Sequence, residues 1–271
     1  MKSYVISLST ATQRRSHIAA EFGRKAVDFE FFDAITPDTL EASARFLGLD
    51  PDRTKLHRRE IACLLSHVTL WKKAVDEHMD HIAIFEDDIY LGENADAFLE
   101  SASWIPPQCG IVKLEAYYKK IVVLTHEPVI NLSNKRRLMV LGAAHMGGGG
   151  YILSQQAARQ LIDFLTQCVE LFPVDHVIFR DYPHDTGNTI HQMVPALCIQ
   201  DVVLTNDPAR FPSNLKDVRS VRKGESQEKR KMKLSEKAKR ETGRVWKQIH
   251  VAFHEFTQLF DGKRTMRIKF K

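Results

Sequence analysis

No run of about 18 apolar residues occurs anywhere in this chain, so no segment reads as a membrane-spanning helix. The first apolar stretch, Tyr4 to Leu8, is too short for a secretory signal and reads as the first strand. Cysteine is scarce. The four present, Cys63, Cys109, Cys168 and Cys198, are far apart and show no C-x-x-C spacing. Neither a zinc site nor a disulfide framework is expected, and the thiols read as buried and reduced in a cytoplasmic protein. The phosphate-loop pattern G-x-x-x-x-G-K-[ST] is missing too, which disfavours a P-loop kinase. There is no internal repeat and no low-complexity tract. What is present is 271 residues with 44% hydrophobic content, enough for a full core, and the expectation is one α/β domain with an appendage.

Charge marks the boundary of that appendage. Residues 216–271 hold 18 of the 39 basic residues and 7 of the 34 acidic ones, giving +11 there and −6 in 1–215. Residues 216–240 are nearly devoid of apolar side chains and read as a solvated linker or polar helix. From 241 to 260, Val245, Trp246, Ile249, Phe253, Phe256 and Phe260 fall at helical spacing beside Arg240, Arg244 and Lys247. Such a helix either docks its apolar stripe on the main domain or rests on an anionic membrane face. Nucleic acid is the less favoured partner, because no recognition fold accompanies the charge.

The main domain alternates. The patterns predict strands at 3–8, 28–33, 81–86, 110–115, 120–124, 137–143 and 150–153, with helices at 11–23, 60–78, 93–102 and 154–168 and a polar loop region up to 59. Helix 60–78 is amphipathic, with apolar residues at 61, 64, 65, 68, 71 and 75. It feeds directly into the run Ile82-Ala83-Ile84-Phe85, which ends in Glu86-Asp87-Asp88. Three adjacent carboxylates at a strand end repel one another and resist desolvation unless a cation or an open cleft compensates them. In an open α/β sheet the carboxyl ends of strands are also where ligands bind. The chemistry expected there is a hard divalent cation, Mn²⁺ or Mg²⁺, holding phosphate oxygens. Along an extended chain Glu86 and Asp88 point one way and Asp87 the other, so which pair would ligate is open; Asp88 is the best single candidate.

Other residues offer further chemistry. Arg14 and Arg15, behind the first strand, are candidates to reach a base or phosphates. Lys113 and Glu115 share one face of a strand, which for a buried strand implies a polar cleft. Gly147 to Gly150 permits close approach of the backbone to a ligand. Asp175 follows the next helix, and His176, His184 and His191 are possible additions to a metal shell, although isolated histidines are more often structural.

Taken in order, Tyr4-Val5-Ile6-Ser7-Leu8 with Arg14-Arg15, Glu60 to Trp71, Glu86-Asp87-Asp88, Ile111 to Glu115, Gly147 to Ser154, Pro173-Val174-Asp175-His176 and Pro195 to Gln200 resemble glycosyltransferase family 25. These are the bacterial lipooligosaccharide galactosyltransferases, related to collagen galactosyltransferases. The likeness spans about the first three quarters of the chain. One departure is Glu86, where many sugar-nucleotide transferases begin an Asp-x-Asp. The resemblance implies a GT-A-like nucleotide-binding domain; the alternation of elements gives it a mixed central sheet over 1–215, and the charge and apolar spacing add a basic helical segment over 216–271. The resemblance also implies UDP-galactose as donor, held by Ser7, Leu8, Arg14, Arg15, Glu86, Asp87, Lys113, Gly148 and Gly149. Metal ligands would come from Glu86, Asp87 and Asp88. Asp175 is the candidate for acceptor binding or the general base, with Glu115 as the other. The expected reaction is inverting transfer with a β linkage onto a lipid-linked oligosaccharide, at the cytoplasmic face of the inner membrane. Two rivals are a metal-dependent nucleotidyltransferase, which would release pyrophosphate, and a non-catalytic basic adaptor for membrane or nucleic acid.

Overall fold

The computed structural model describes residues 1–207, 210, 211 and 261–271. In chain order the elements are β1 (Lys2–Ser7), α1 (Thr12–Arg24), β2 (Glu30–Asp33), α2 (Leu40–Leu47), α3 (Arg58–Asp76), β3 (His81–Glu86), β4 (Ile89–Leu91), α4 (Ala95–Leu99), β5 (Ile111–Lys113) and β6 (Lys120–Leu124). They continue with β7 (Ile130–Asn131), β8 (Arg137–Val140), β9 (Gly150–Ser154), α5 (Gln155–Gln167), α6 (Val174–His176), a π-helical turn (Val177–Asp181), α7 (Tyr182–Thr186), β10 (His191–Val194), β11 (Cys198–Gln200), α8 (Asp201–Thr205) and β12 (Lys263–Arg267).

Eight strands form one mixed sheet in the order β2-β1-β3-β9-β5-β10-β8-β7. The strands β2, β1 and β3 run parallel, and β9 enters antiparallel between β3 and β5. Side-chain alternation divides the core into two layers. Tyr4, Ile6, Ile82, Ile84, Tyr151 and Leu153 face α2, α3 and α5, whereas Val5, Ala83, Phe85 and Ile152 face α1 and α4. Each fully buried large aliphatic side chain contributes roughly 1.5–3 kcal/mol. The start of α3 is fixed locally: His57 Nδ1 accepts from Arg59 N at 3.2 Å and Glu60 Oε2 accepts from His57 N at 3.0 Å, a reciprocal cap.

Two expectations need correction. The polar region before residue 59 contains α2, whose Leu40, Ala44 and Leu47 are buried at i, i+4 and i+7 and whose end is turned by Gly48 at φ 66°. In the C-terminal segment, the described part is a strand and not a helix. β12 pairs antiparallel with β6 from Lys263↔Leu124 to Arg267↔Lys120, and Ile268 joins a third apolar cluster with Ile121, Val123 and Ile199. The chain then docks the Lys271 carbonyl on Arg136, against Gly92. Residues 261–271 therefore pack with the main domain, whereas the apolar stripe Val245 to Phe260 lies outside the described residues.

Candidate active site

The sheet brings the carboxyl ends of β1, β3 and β5 to one edge and sets the glycine run beside them. Because β9 is antiparallel to β3, its first residue Gly150 lies opposite Phe85, and Glu86 N donates to Gly149 O at 3.2 Å. A second, two-stranded sheet crosses this edge: β11 pairs with β4, opposing Gln200 to Ile89, next to Asp88.

The three acids separate into two groups. Asp87 accepts from Ser7 Oγ at 2.7 Å and from Arg14 Nη1 at 2.5 Å, so each of its oxygens has a partner on the β1–α1 side. Glu86 and Asp88 instead meet the same amide, Gln200 Nε2, at 2.6 and 3.4 Å. Burial, then the proximity of Asp88, Glu115, Asp175 and Asp87, raises the Glu86 pKa well above the ordinary carboxylate range. Asp88 is pushed up to about 6, first by burial and then by Asp87, Glu115 and Asp201, with Arg14 opposing. Two oxygen donors that repel each other when ionised are a donor set suited to a hard divalent cation.

Behind Glu86 lies a chain of buried polar groups. Trp71 Nε1 can only donate, so the Tyr151 oxygen accepts it at 3.0 Å, and the same oxygen shares a hydrogen bond with His67 Nδ1 at 2.7 Å. The other ring nitrogen, Nε2, is buried and lies 3.9 Å from Glu86 Oε1. Burial holds the ring neutral, with its pKa down at about 3. Cys63, His67 and Glu86 bring ligand atoms within 4.8 Å of one another. That trio offers one thiol, one fully buried ring and one carboxylate, whereas Glu86 and Asp88 supply the oxygen donors that a hard divalent cation prefers.

Lys113 and Glu115 do share a face, but it is a closed one. Both are fully buried; Lys113 Nζ meets Glu115 Oε2 at 3.2 Å, donates to the Gly147 carbonyl and lies 4.1 Å from the centre of the Phe179 ring. Glu115 Oε2 also accepts from Gly149 N at 3.0 Å, and burial raises the Glu115 pKa against the opposing effect of Lys113. The pair braces the glycine run from beneath and does not line the cleft that the sequence suggests. Asp175, by contrast, borders an open cavity of about 490 Å³; it accepts from Gly147 N at 3.0 Å and from His176 N at 3.1 Å. Arg15 ties β1 to β2, donating to the Ser7 and Leu8 carbonyls at 3.1 Å each and to Asp33. His184 is exposed beside Asp185, and His191 is buried in β10 opposite Val112 and Val140; neither is among the partners of the acids.

The four glycines are small for different reasons. A Cβ on Gly147, which sits at φ +88°, would lie 2.6 Å from Glu115 Oε2, and one on Gly149 would lie 2.9 Å from Gln200 Cγ. On Gly150 it would lie 2.3 Å from Cys198 Sγ and 3.0 Å from Phe85. Gly148 alone meets only ordinary contacts, at 3.6 Å to Glu86 Oε1 and 4.0 Å to Asp175 Cβ. The close approach at Gly149 and Gly150 is thus to the protein's own side chains. We expect Gly150→Ala to lower unfolding stability by about 1–3 kcal/mol, as overpacking does, and Gly148→Ala to cost markedly less. Urea unfolding of the two variants checks this, and equal costs would contradict the packing account.

The site residues that sequence reasoning missed are His67, Tyr151 and Gln200. Each stands inside a stretch that carries the family resemblance, but the hydrogen bonds that give them meaning join positions 84 and 114 residues apart. The signature described as Glycosyltransferase family 25 (LPS biosynthesis protein) matches residues 1–178. The lacto-N-neotetraose biosynthesis glycosyltransferase LgtE of Neisseria meningitidis serogroup B is 34% identical, over 90% of this chain and 90% of its own. LgtB of the same organism is 39% identical over 74% and 76%. Among solved structures, a glycosyltransferase involved in glycosylation of the major capsid of PBCV-1 covers 74% of this chain and 91% of its own, at TM-score 0.38 and 10% identity. With two thirds of its length matched by the family signature and relatives aligned along most of the remainder, this chain belongs to glycosyltransferase family 25.

Proposed function

We propose that the protein transfers galactose from UDP-galactose to a saccharide of a lipooligosaccharide, by an inverting single displacement that forms a β linkage. The observation that carries this reading is the Glu86 and Asp88 pair, crowded, raised in pKa and gathered on Gln200 at the ligand edge of the sheet. Mn²⁺ or Mg²⁺, when bound by Glu86 and Asp88, supplies positive charge against the diphosphate leaving group. Asp87 has a different part: it fixes Arg14, whose guanidinium adds cationic charge on the β1 side of the same edge. Gln200 holds the two ligating carboxylates together.

Asp175 supplies the base. The acceptor hydroxyl oxygen forms a bond to the anomeric carbon, the bond from that carbon to the diphosphate oxygen breaks, the hydroxyl proton passes to Asp175 and UDP leaves. Glu115 is not suited to this role, being fully buried under Gly149. The family description as an LPS biosynthesis protein and the names of two further relatives, the lipooligosaccharide biosynthesis proteins lex-1 and lic2B of Haemophilus influenzae, support a lipooligosaccharide acceptor. Among the described residues no helix is long and apolar enough to cross a membrane. The excess of +11 over 216–271 supports contact with an anionic bilayer face, where such an acceptor would be anchored.

The test is a panel of nucleotide sugars incubated with Mn²⁺ and simple glycoside acceptors. We expect UDP release from UDP-galactose that depends on acceptor. Release of pyrophosphate from a nucleoside triphosphate supplied together with a sugar 1-phosphate would instead favour nucleotidyl transfer, and full function of a variant without the acids would favour a basic adaptor; family membership weighs against both.

A further inference from the structure

The walls of the cavity beside Asp175 define the chemistry of its occupant. It holds about 490 Å³, within the range of small-ligand sites, and is bounded by three aromatic rings, Tyr117, Tyr118 and Phe172, together with Thr54, Lys55 and Arg180. Tyr118 is 45% exposed although it is a large ring, and it is held edge-on by Tyr117, with centroids 4.9 Å apart, and by His145 at 5.1 Å. Arg180 is fixed by Asp181 at 2.6 Å and stacks 5.3 Å from the centre of Phe172. An open aromatic surface with hydroxyl, ammonium and guanidinium groups at its margin matches a ligand with one apolar C–H face and a belt of hydroxyls. A bare anion would leave the rings unused.

Position points the same way. Gly148 lies close to both the acid pair and Asp175: a Cβ added there would stand 3.6 Å from Glu86 Oε1 and 4.0 Å from Asp175 Cβ, and Asp175 borders the cavity. A ligand in the cavity can therefore present a hydroxyl to Asp175 while a donor is held at the acid pair. Resting on the glycosyltransferase reading above, we propose that this cavity is the acceptor subsite and that it binds a terminal pyranose, its C–H face on Tyr118 and one hydroxyl at Asp175.

The test uses the full chain and methyl β-glucopyranoside, methyl β-galactopyranoside and methyl β-N-acetylglucosaminide, whose aglycone cannot stack. Saturation-transfer NMR reads glycoside binding, and calorimetry with UDP and Mn²⁺ reads the donor side of the same samples. At least one glycoside is expected to bind, with saturation strongest on its C–H face. Binding should weaken about five-fold or more in Tyr118→Ala, recover in Tyr118→Phe, which keeps the ring, and leave UDP affinity within about two-fold, since loss of one stacking contact is worth roughly 1 kcal/mol. Equal glycoside binding by wild type and Tyr118→Ala, or no binding of any of the three, overturns the subsite. Loss of UDP affinity in Tyr118→Ala that Tyr118→Phe restores also overturns it, and makes the cavity a nucleobase site. Failure of wild-type protein to bind UDP with Mn²⁺ falls on the donor reading alone, because the glycoside arm is measured without nucleotide.

Discussion

Asp88→Asn is expected to lose at least about 10²-fold in sugar transfer, equivalent to about 2.7 kcal/mol of barrier, while unfolding stability stays level or rises. The substitution keeps the shape that meets Gln200 and removes one of the charges crowded at the end of β3. The sign of the stability change follows from the raised pKa. Asp88 moves from 3.8 to about 6 in the folded protein, so its contribution to stability is fully present below the unfolded value and is lost as pH rises through about 6. Without divalent cation, wild type should therefore lose stability relative to Asp88→Asn between about pH 4 and 6, and the two should converge in more acidic solution. Thermal unfolding in EDTA across that range checks the sign, and steady-state transfer assays check the rate. Near-normal turnover by the variant would remove Asp88 from the cation site.

Asp175→Asn should lower the rate of transfer by about 10²–10⁴-fold, with UDP affinity retained. The amide can still accept from Gly147 N through its oxygen, so the loop keeps one of its two anchors on this side chain while the proton acceptor is gone. A split between an unchanged calorimetric affinity for UDP and a collapsed rate identifies a base. Lost UDP affinity with intact chemistry would place Asp175 among the donor contacts instead. Glu115→Gln offers a contrast. Glu115 pairs with Lys113 in a fully buried setting, so removing its charge should show first as lost folding stability, because an uncompensated buried cation remains.

Much of the fold is legible in the amino-acid pattern. The expected strands 81–86 and 120–124 coincide with β3 and β6 to the residue, because a short apolar run bounded by charge leaves little freedom. The glycosyltransferase family is legible for a different reason: ordered motifs constrain one another more than any single one does. The alternation rule separates Glu86 and Asp88 from Asp87, and the partners Gln200 and Arg14 lie on the corresponding sides. What the pattern does not carry is set by tertiary contact. Lys263–Arg267 reads Lys-Arg-Thr-Met-Arg, with no apolar alternation, and is a strand because β6, some 140 residues upstream, offers it an open edge. Lys113 and Glu115 share a face, as alternation predicts, but spacing alone cannot say whether that face opens to a cleft or closes on Gly147 and Phe179. α2 is hidden because its three buried residues are spaced among polar ones in a stretch rich in Asp, Thr and Pro.

The central claim is that Glu86 and Asp88 hold a divalent cation against the diphosphate of a sugar nucleotide. It is tested most directly by titrating UDP into the protein calorimetrically at pH 7.5, with Mn²⁺ and separately with EDTA, in wild type and in Asp88→Asn. The account predicts that UDP affinity in wild type falls by at least about ten-fold in EDTA, roughly 1.4 kcal/mol, and that Asp88→Asn binds UDP weakly and equally in both conditions. Equal affinity of wild-type protein for UDP with Mn²⁺ and with EDTA would contradict it.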